Sequence, residues 1–247
     1  MIYRHLGNIF PRIRDLASLW VYFFLCLPAQ AQQDQWIDLT HELSADAVFW
    51  PTAEPFKMTA NFEGMTEGGY YYSAYSFTTA EHGGTHIDAP VHFAKGKHHV
   101  NEIPLEQLIG NAVVVDVSVQ VAKNRDHLIS VADLLAWESE YGKIPTHSIV
   151  LLFTGFGSYW PDAQKYLGTA LRGEAGAAAL SFPGLNVDAA EWLLSQRHIK
   201  AVGIDTASID YGASRKFSAH VMLMTHNVPA FENVANLDKL PPKGSFV

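Results

Sequence analysis

The sequence predicts a single α/β domain, and three observations carry that prediction. Of its 247 residues, 48% are apolar and only 17% are charged, the balance of a chain that buries a core rather than remaining disordered. Short apolar, β-rich runs recur along it, and segments with helix caps and helical apolar spacing stand between some of them. One of those helices passes directly into a strand, a βαβ-like passage. No internal repeat or low-complexity linker divides the chain.

Taken in order, the first stretch reads as a leader. Arg4, Arg12 and Arg14 precede an apolar run over 16–27, followed by Pro28 and the small-residue triplet Ala29-Gln30-Ala31. That is the pattern of a secretory signal peptide over 1–31, with cleavage expected near Ala31 and the domain proper over 32–247. The apolar run is much shorter than the roughly 20 residues of a spanning helix, so no stable membrane anchor is expected. Strands are expected at 36–39, 72–77, 112–117, 149–153 and 199–204. Ser130, followed by Asp133 and then by Leu134, Leu135 and Trp137, predicts a capped helix ending near Gly142. Asn186 predicts the cap of a second helix whose stripe is Val187, Ala190, Trp192, Leu193 and Leu194. The Gly-, Ala- and Tyr-rich stretch over 155–184 reads as a long surface excursion suited to variable substrate contacts.

Charge and cysteine content narrow the chemistry. Seventeen Lys and Arg stand against 25 Asp and Glu, a formal net charge of -8, and no basic stripe is present, so nucleic acid is not an expected partner. The one cysteine, Cys26, falls inside the leader. A processed chain would hold no disulfide and no thiolate, leaving oxygen and imidazole groups to do chemistry. With no Asn-x-Ser/Thr sequon, the expected location is secreted or periplasmic, in a bacterium.

The chemistry concentrates at 81–93, EHGGTHIDAPVHF. His82, His86, Asp88 and His92 fall within eleven positions, and imidazole with carboxylate is the donor set of zinc, manganese or iron rather than calcium. In an extended segment residues 86 and 88 share a face, Gly83 and Gly84 let the backbone turn so that His82 reaches the same point, and Pro90 opposes a helix. Any one of these histidines reads more simply as a hydrogen-bonded structural group. Four buried together without partners would each cost about 1 to 3 kcal/mol, and a metal removes that cost. His98 and His99, after Lys95 and Lys97, read as solvated.

HGGTHIDAPVHF resembles the HxGTHxDxPxHF signature of the cyclase family of metal-dependent hydrolases, which includes kynurenine formamidases (arylformamidases) and isatin hydrolases. The resemblance extends through Asp38-Leu39-Thr40-His41 with Trp50-Pro51, through Pro183-Gly184-Leu185 and through VGIDTASID at 202–210. It continues to His220, Glu232, Asn233 and Asn236-Leu237. It implies a mixed, barrel-like sheet core with flanking helices. It also implies a divalent metal, Zn or Mn, as one or two ions: His82, His86 and Asp88 on the first, with Asp88 bridging to a second held by His220 and Glu232. His92 is implied as the acid/base group, and a homo-oligomer, a dimer or larger, as the assembly. Taken singly, His220 reads equally well as a core residue and Glu232 as a solvated loop carboxylate; their twelve-residue interval is what matches the family. Gly83 fills the free position of the motif.

The resulting expectation is a metal-dependent hydrolase that cleaves the C–N bond of a small, aromatic amide or cyclic amide. Water with a pKa lowered toward ~7 by the ion would be the nucleophile, and His92 would shuttle the proton. No G-x-S-x-G elbow is present to support a serine hydrolase. Trp50, Tyr70, Tyr71, Tyr72, Tyr75 and Phe93 are candidate pocket aromatics, of which at most two are expected to touch ligand. Glu81 reads as exposed rather than as a partner of an imidazole, and Ser208 and Asp210 read equally well as lining the site or forming a turn. Alternative readings are a metal-dependent cyclase, dehydratase or lactone hydrolase, and a non-catalytic module that binds metal or a small molecule.

Overall fold

Apolar runs without alternation dictate the centre of the molecule, because a strand that is apolar on both faces is stable only with cover on both. The computed structural model describes residues 35–247; the expected leader and Cys26 lie outside the described residues. Ten strands are described: β1 (Lys57–Met65), β2 (Tyr71–Thr78), β3 (His86–Asp88), β4 (Asn111–Asp116), β5 (Leu128–Ile129), β6 (Ile149–Phe153), β7 (Gly184–Leu185), β8 (Ala201–Ile204), β9 (Ala230–Glu232) and β10 (Lys243–Phe246). Six of them form a mixed sheet in the order β10-β4-β6-β8-β9-β3. β4, β6, β8 and β9 run parallel, and β10 and β3 flank them antiparallel.

Successive residues of the parallel strands are buried on opposite faces. Val113, Val115, Val150, Leu152, Val202 and Ile204 enter the larger core cluster, and Ala112, Val114, Ile149, Leu151 and Ala201 enter the smaller one with Val234 and Leu237. Each fully buried Leu, Ile or Val there contributes about 1.5–3 kcal/mol. Helices cover the sheet: α1 (Leu105–Leu108), α2 (Ser118–Lys123), α3 (Val131–Tyr141), α4 (Ala163–Tyr166), α5 (Gly173–Ala178), α6 (Val187–Trp192) and α7 (Ser218–Thr225). Residues 37–247 form one compact unit.

Both predicted caps form. The Ser130 hydroxyl accepts from the Asp133 N–H at 3.3 Å while the Asp133 carboxylate accepts from the Ser130 N–H at 2.8 Å, and α3 stops at Gly142 with φ +85. Trp137 fixes α3 to the sheet by donating Nε1–H to the Val114 carbonyl at 2.8 Å; Leu134 is buried and Leu135 is exposed. Asn186 caps α6 by accepting from the Asp188 N–H at 2.8 Å, and α6 runs through a π turn (Leu193–Arg197) toward β8.

Three expectations need correction. The 36–39 run forms no strand: it is tied to the body by single bonds, Ala235 N–H to the Leu39 carbonyl and Asn236 Nδ2 to the Asp38 carbonyl, in place of a ladder. The 155–184 stretch is not a surface excursion, since Phe156, Tyr166, Leu167, Leu180 and Phe182 are all buried in the main core. His98 is not solvated but half-buried, with Nδ1 enclosed and its N–H bonded to the Asn227 carboxamide oxygen at 3.1 Å; His99 is exposed.

The expected strand at 72–77 is real and belongs to a long hairpin, β1–β2, paired from Lys57↔Thr78 to Met65↔Tyr71 with a bulge between Ala60 and Phe62. Nearly every residue on both of its faces is exposed, including Met58, Phe62, Met65, Tyr71, Tyr72, Tyr75 and Phe77. Among the described residues no helix is long and apolar enough to cross a membrane.

Candidate active site

Three separate parts of the chain converge on one carboxylate, Asp88, and the sheet sets their positions. β3 pairs antiparallel with β9 in the register His86↔Glu232 and Asp88↔Ala230, so a histidine of the first motif stands directly opposite the C-terminal glutamate. The turn before β3 brings His82 back over the strand: His82 Nδ1 lies 2.7 Å from Asp88 Oδ1 and 3.3 Å from His86 Nε2, which is itself 3.1 Å from Asp88 Oδ1. The other carboxylate oxygen, Asp88 Oδ2, lies 3.1 Å from His220 Nε2, and His220 Nε2 lies 3.1 Å from Glu232 Oε1. His86 Nε2 and Glu232 Oε2 are 3.6 Å apart.

Gly83, the free position of the motif, has a steric role. A Cβ there would sit 1.9 Å from the Phe49 ring, which packs into that space beside the isolated bridge Phe49↔Gly83. Any side chain at 83 would push away the segment that carries Trp50.

Backbone and side-chain partners hold the imidazoles in register. His86 Nδ1 is 2.9 Å from the Gly84 carbonyl, to which Asn233 Nδ2 also donates at 2.8 Å, and this leaves His86 Nε2 facing the carboxylates. Asp210 holds His220. Its carboxylate is 2.7 Å from His220 Nδ1 and accepts the N–H groups of Ala219 and His220 at 3.2 and 3.1 Å, capping α7 from outside the helix. Glu232 Oε1 accepts from the Ile209 N–H at 2.8 Å. Asp210 thus orients a site residue, and Ser208 both lines the cavity and accepts the Asp210 N–H at 3.2 Å in a turn. Glu81 is exposed.

Charge and burial act against each other here. Burial opposes ionisation of Asp88, but hydrogen bonds with His220, His82 and His86 outweigh it and hold the carboxyl well below the usual range. Burial raises Glu232, and the neighbouring Asp88 charge raises it further. His86 is raised to about 8 and His220 well above the usual imidazole value: burial opposes both shifts, and the adjacent carboxylates overcome it. His92 goes the other way, with burial lowering it to about 4. Its ring stacks on His82 with centroids 3.9 Å apart.

The donor set fits a divalent metal. Neighbouring imidazole nitrogens and carboxylate oxygens in the cluster of His82, His86, Asp88, His220 and Glu232 stand 2.7 to 3.6 Å apart. Neighbouring ligands about 3.3 Å apart are what tetrahedral bonds of roughly 2.0–2.1 Å require. Beside them opens a cavity of about 260 Å³ whose apolar walls are Trp50, Ala53, Phe93, Ala207 and Phe217, with His92 on its lining. Of the six candidate aromatics only Trp50 and Phe93 reach this cavity; Tyr70, Tyr71, Tyr72 and Tyr75 are exposed on or beside the hairpin. Phe217 was missed in the sequence, where nothing sets it apart from a core aromatic. Asp205, in the same motif as Asp210, is not among these groups. It is buried just past the C-terminal end of β8, accepting the Thr154 N–H and hydroxyl at 2.8 and 2.6 Å and the Gly155 N–H at 2.9 Å, and burial raises it to about 6.

Comparison with known proteins shows what the chain is similar to. The profile of the family described as "Putative cyclase" matches residues 37–211. An isatin hydrolase of Roseibium aggregatum is 31% identical over 175 residues, 68% of this chain and 64% of that relative's own length. A kynurenine formamidase of Bacillus mycoides is 27% identical over 205 residues, 81% of this chain and 82% of the relative. Among solved structures, isatin hydrolase A from Ralstonia solanacearum superposes with a TM-score of 0.77 at 29% identity, covering 98% of this chain and 91% of that one.

Proposed function

This chain belongs to the cyclase family, and on that premise we propose that it is a metal-dependent hydrolase of the C–N bond in a small aromatic amide or cyclic amide. The observation that carries the reading is the placement of Asp88. One of its oxygens faces His82 and His86 and the other faces His220 beside Glu232, so that these five residues would together hold one or two cations. Zn or Mn suits these donors. A divalent ion held there would lower the pKa of water and polarise the substrate carbonyl.

The chain's own groups account for the rest. Trp50, Phe93 and Phe217 present aromatic faces to a flat substrate and shed water as it enters. His92, neutral because its pKa lies near 4, accepts a proton at a ring nitrogen and returns it to the departing amide nitrogen. Asp210 holds the His220 ring through Nδ1, which leaves Nε2 facing Asp88.

Isatin and N-formylkynurenine are the first substrates to test, since relatives are named isatin hydrolase and kynurenine formamidase. Loss of substrate absorbance that stops on chelation and returns with Zn or Mn supports the proposal; no turnover of either by metal-loaded protein overturns it. Two further parts belong to the same proposal. The leader-like stretch at 1–31 supports export, checked by N-terminal sequencing of protein recovered from the periplasm. The apolar residues exposed along β1–β2 support a homo-oligomer in which a second copy covers the hairpin.

A further inference from the structure

We infer that Arg172 is a positioning residue for substrate, clamping the 49–53 loop so that Trp50 and Ala53 form one wall of the cavity. This deepens the proposed function and rests on it. The metal-side wall stands on regular elements, β3, β9 and α7. The wall opposite does not: Trp50 and Ala53 lie in a segment between 41 and 56 that has no strand or helix of its own, and whose ladder contact is the isolated bridge at Phe49.

Arg172 gathers that segment from outside. Its Nη1 donates to the Phe49 carbonyl at 3.3 Å and the Trp50 carbonyl at 3.2 Å, its Nη2 donates to the Ala53 carbonyl, and the next residue, Gly173, donates its N–H to the Pro51 carbonyl at 2.8 Å. Four carbonyls of a five-residue loop are therefore held by two adjacent residues. A guanidinium spreads its donors over a rigid plane and can reach several acceptors at once; a lysine ammonium is a single point.

Packing supplies a second, independent observation. A Cβ on Gly176 in α5 would lie 2.1 Å from the Leu171 carbonyl oxygen and 2.8 Å from Pro51 Cβ, so the short helix seats against the loop only with glycine at that point. On its far side the Trp50 ring meets the Phe182 ring edge-on, with centroids 6.4 Å apart, and lies 6.5 Å from the Phe217 ring. The indole is thus fixed between the core and the clamp.

Arg172 hydrogen-bonds to the Phe49, Trp50 and Ala53 carbonyls and not to His92 or the residues around Asp88. Its loss should loosen the wall and leave the reacting groups in place. A wall that must be ordered on binding costs affinity rather than the chemical step; for Arg172→Ala the expected result is a KM for isatin raised about tenfold or more with kcat changed less than about threefold. Arg172→Lys should recover only part of the loss. Calorimetric binding of isatin should weaken by the same factor, and amide hydrogen exchange should rise over 49–56 while 82–92 and 220–232 keep their protection. An unchanged KM, or unchanged exchange over 49–56, overturns the clamp. Binding and exchange need no turnover, so metal-loaded wild-type protein that binds isatin but hydrolyses neither isatin nor N-formylkynurenine overturns the proposed function and leaves the clamp to be judged on those two readouts.

Discussion

Two of the antiparallel strand pairs, β1–β2 and β3–β9, are of opposite character. β1–β2 pairs strands of nine and eight residues, with a Phe56–Phe77 stack, a Phe62–Tyr72 contact and an Asn61-to-Ser76 side-chain bond, yet almost all of it is exposed. β3–β9 pairs only three residues with three, yet it carries the candidate active site. What differs is the backing. β9 is stitched to β8 and through it to a sheet buried on both faces, so the His86–Glu232 register is fixed by a core. The hairpin stands alone, and a lone two-stranded hairpin is marginally stable in water. Ladder length therefore does not decide where precise chemistry can be placed; the cover behind the ladder does.

The largest effects should come from breaking the short pair. His86→Ala is expected to lose bound metal and turnover together, measured by elemental analysis and by substrate absorbance; retention of both would remove the site assignment. Next comes its backing. Phe182 is fully buried beside Trp50, and Phe182→Ala should lower unfolding free energy by about 3–5 kcal/mol in urea titration. His92→Ala should keep its metal and lower kcat by roughly 10²-fold if that ring carries the proton; an unchanged kcat would exclude it.

A pH series sharpens the same point at lower amplitude. His92 has a folded pKa near 4 against 6.5 for a free imidazole, so the unfolded chain binds the proton more readily. The stability tied to neutral His92 is present above 6.5 and is lost as pH falls from there toward 4. Metal-free His92→Ala protein should lack that part of the acid destabilisation, seen as a shallower fall of the urea midpoint across this window. The smallest effect should be in the hairpin: Met58→Ser with Phe77→Ser should leave monomer unfolding within about 0.5 kcal/mol, while reducing the mass of the proposed assembly toward a single chain in light scattering.

Much of this was legible in the residues. His82, His86, Asp88 and His92 lie close together, and a glycine turn followed by an extended segment converges them by local geometry alone. The caps at Ser130 and Asn186 are equally local. His220 and Glu232 come from more than a hundred residues away, and only the resemblance singled them out, because a histidine in an apolar helix has no local mark of its partner. Asp210 was legible as a residue but not as the cap of α7, a role that exists only after the chain folds back. The Gly-rich 155–184 stretch was misread because glycine signals both mobility and close approach. At Gly176 the structure uses it for close approach, and the aromatic and apolar neighbours Tyr166 and Phe182 are what make the stretch core.

The central claim is that the side chains around Asp88 hold a cation. Elemental analysis of the purified, folded protein beside its His86→Ala variant tests it most directly. The account predicts about one to two Zn or Mn ions per chain, lost in the variant while its circular dichroism stays native. Wild-type protein that is folded, metal-free and fully able to hydrolyse its substrate would contradict it.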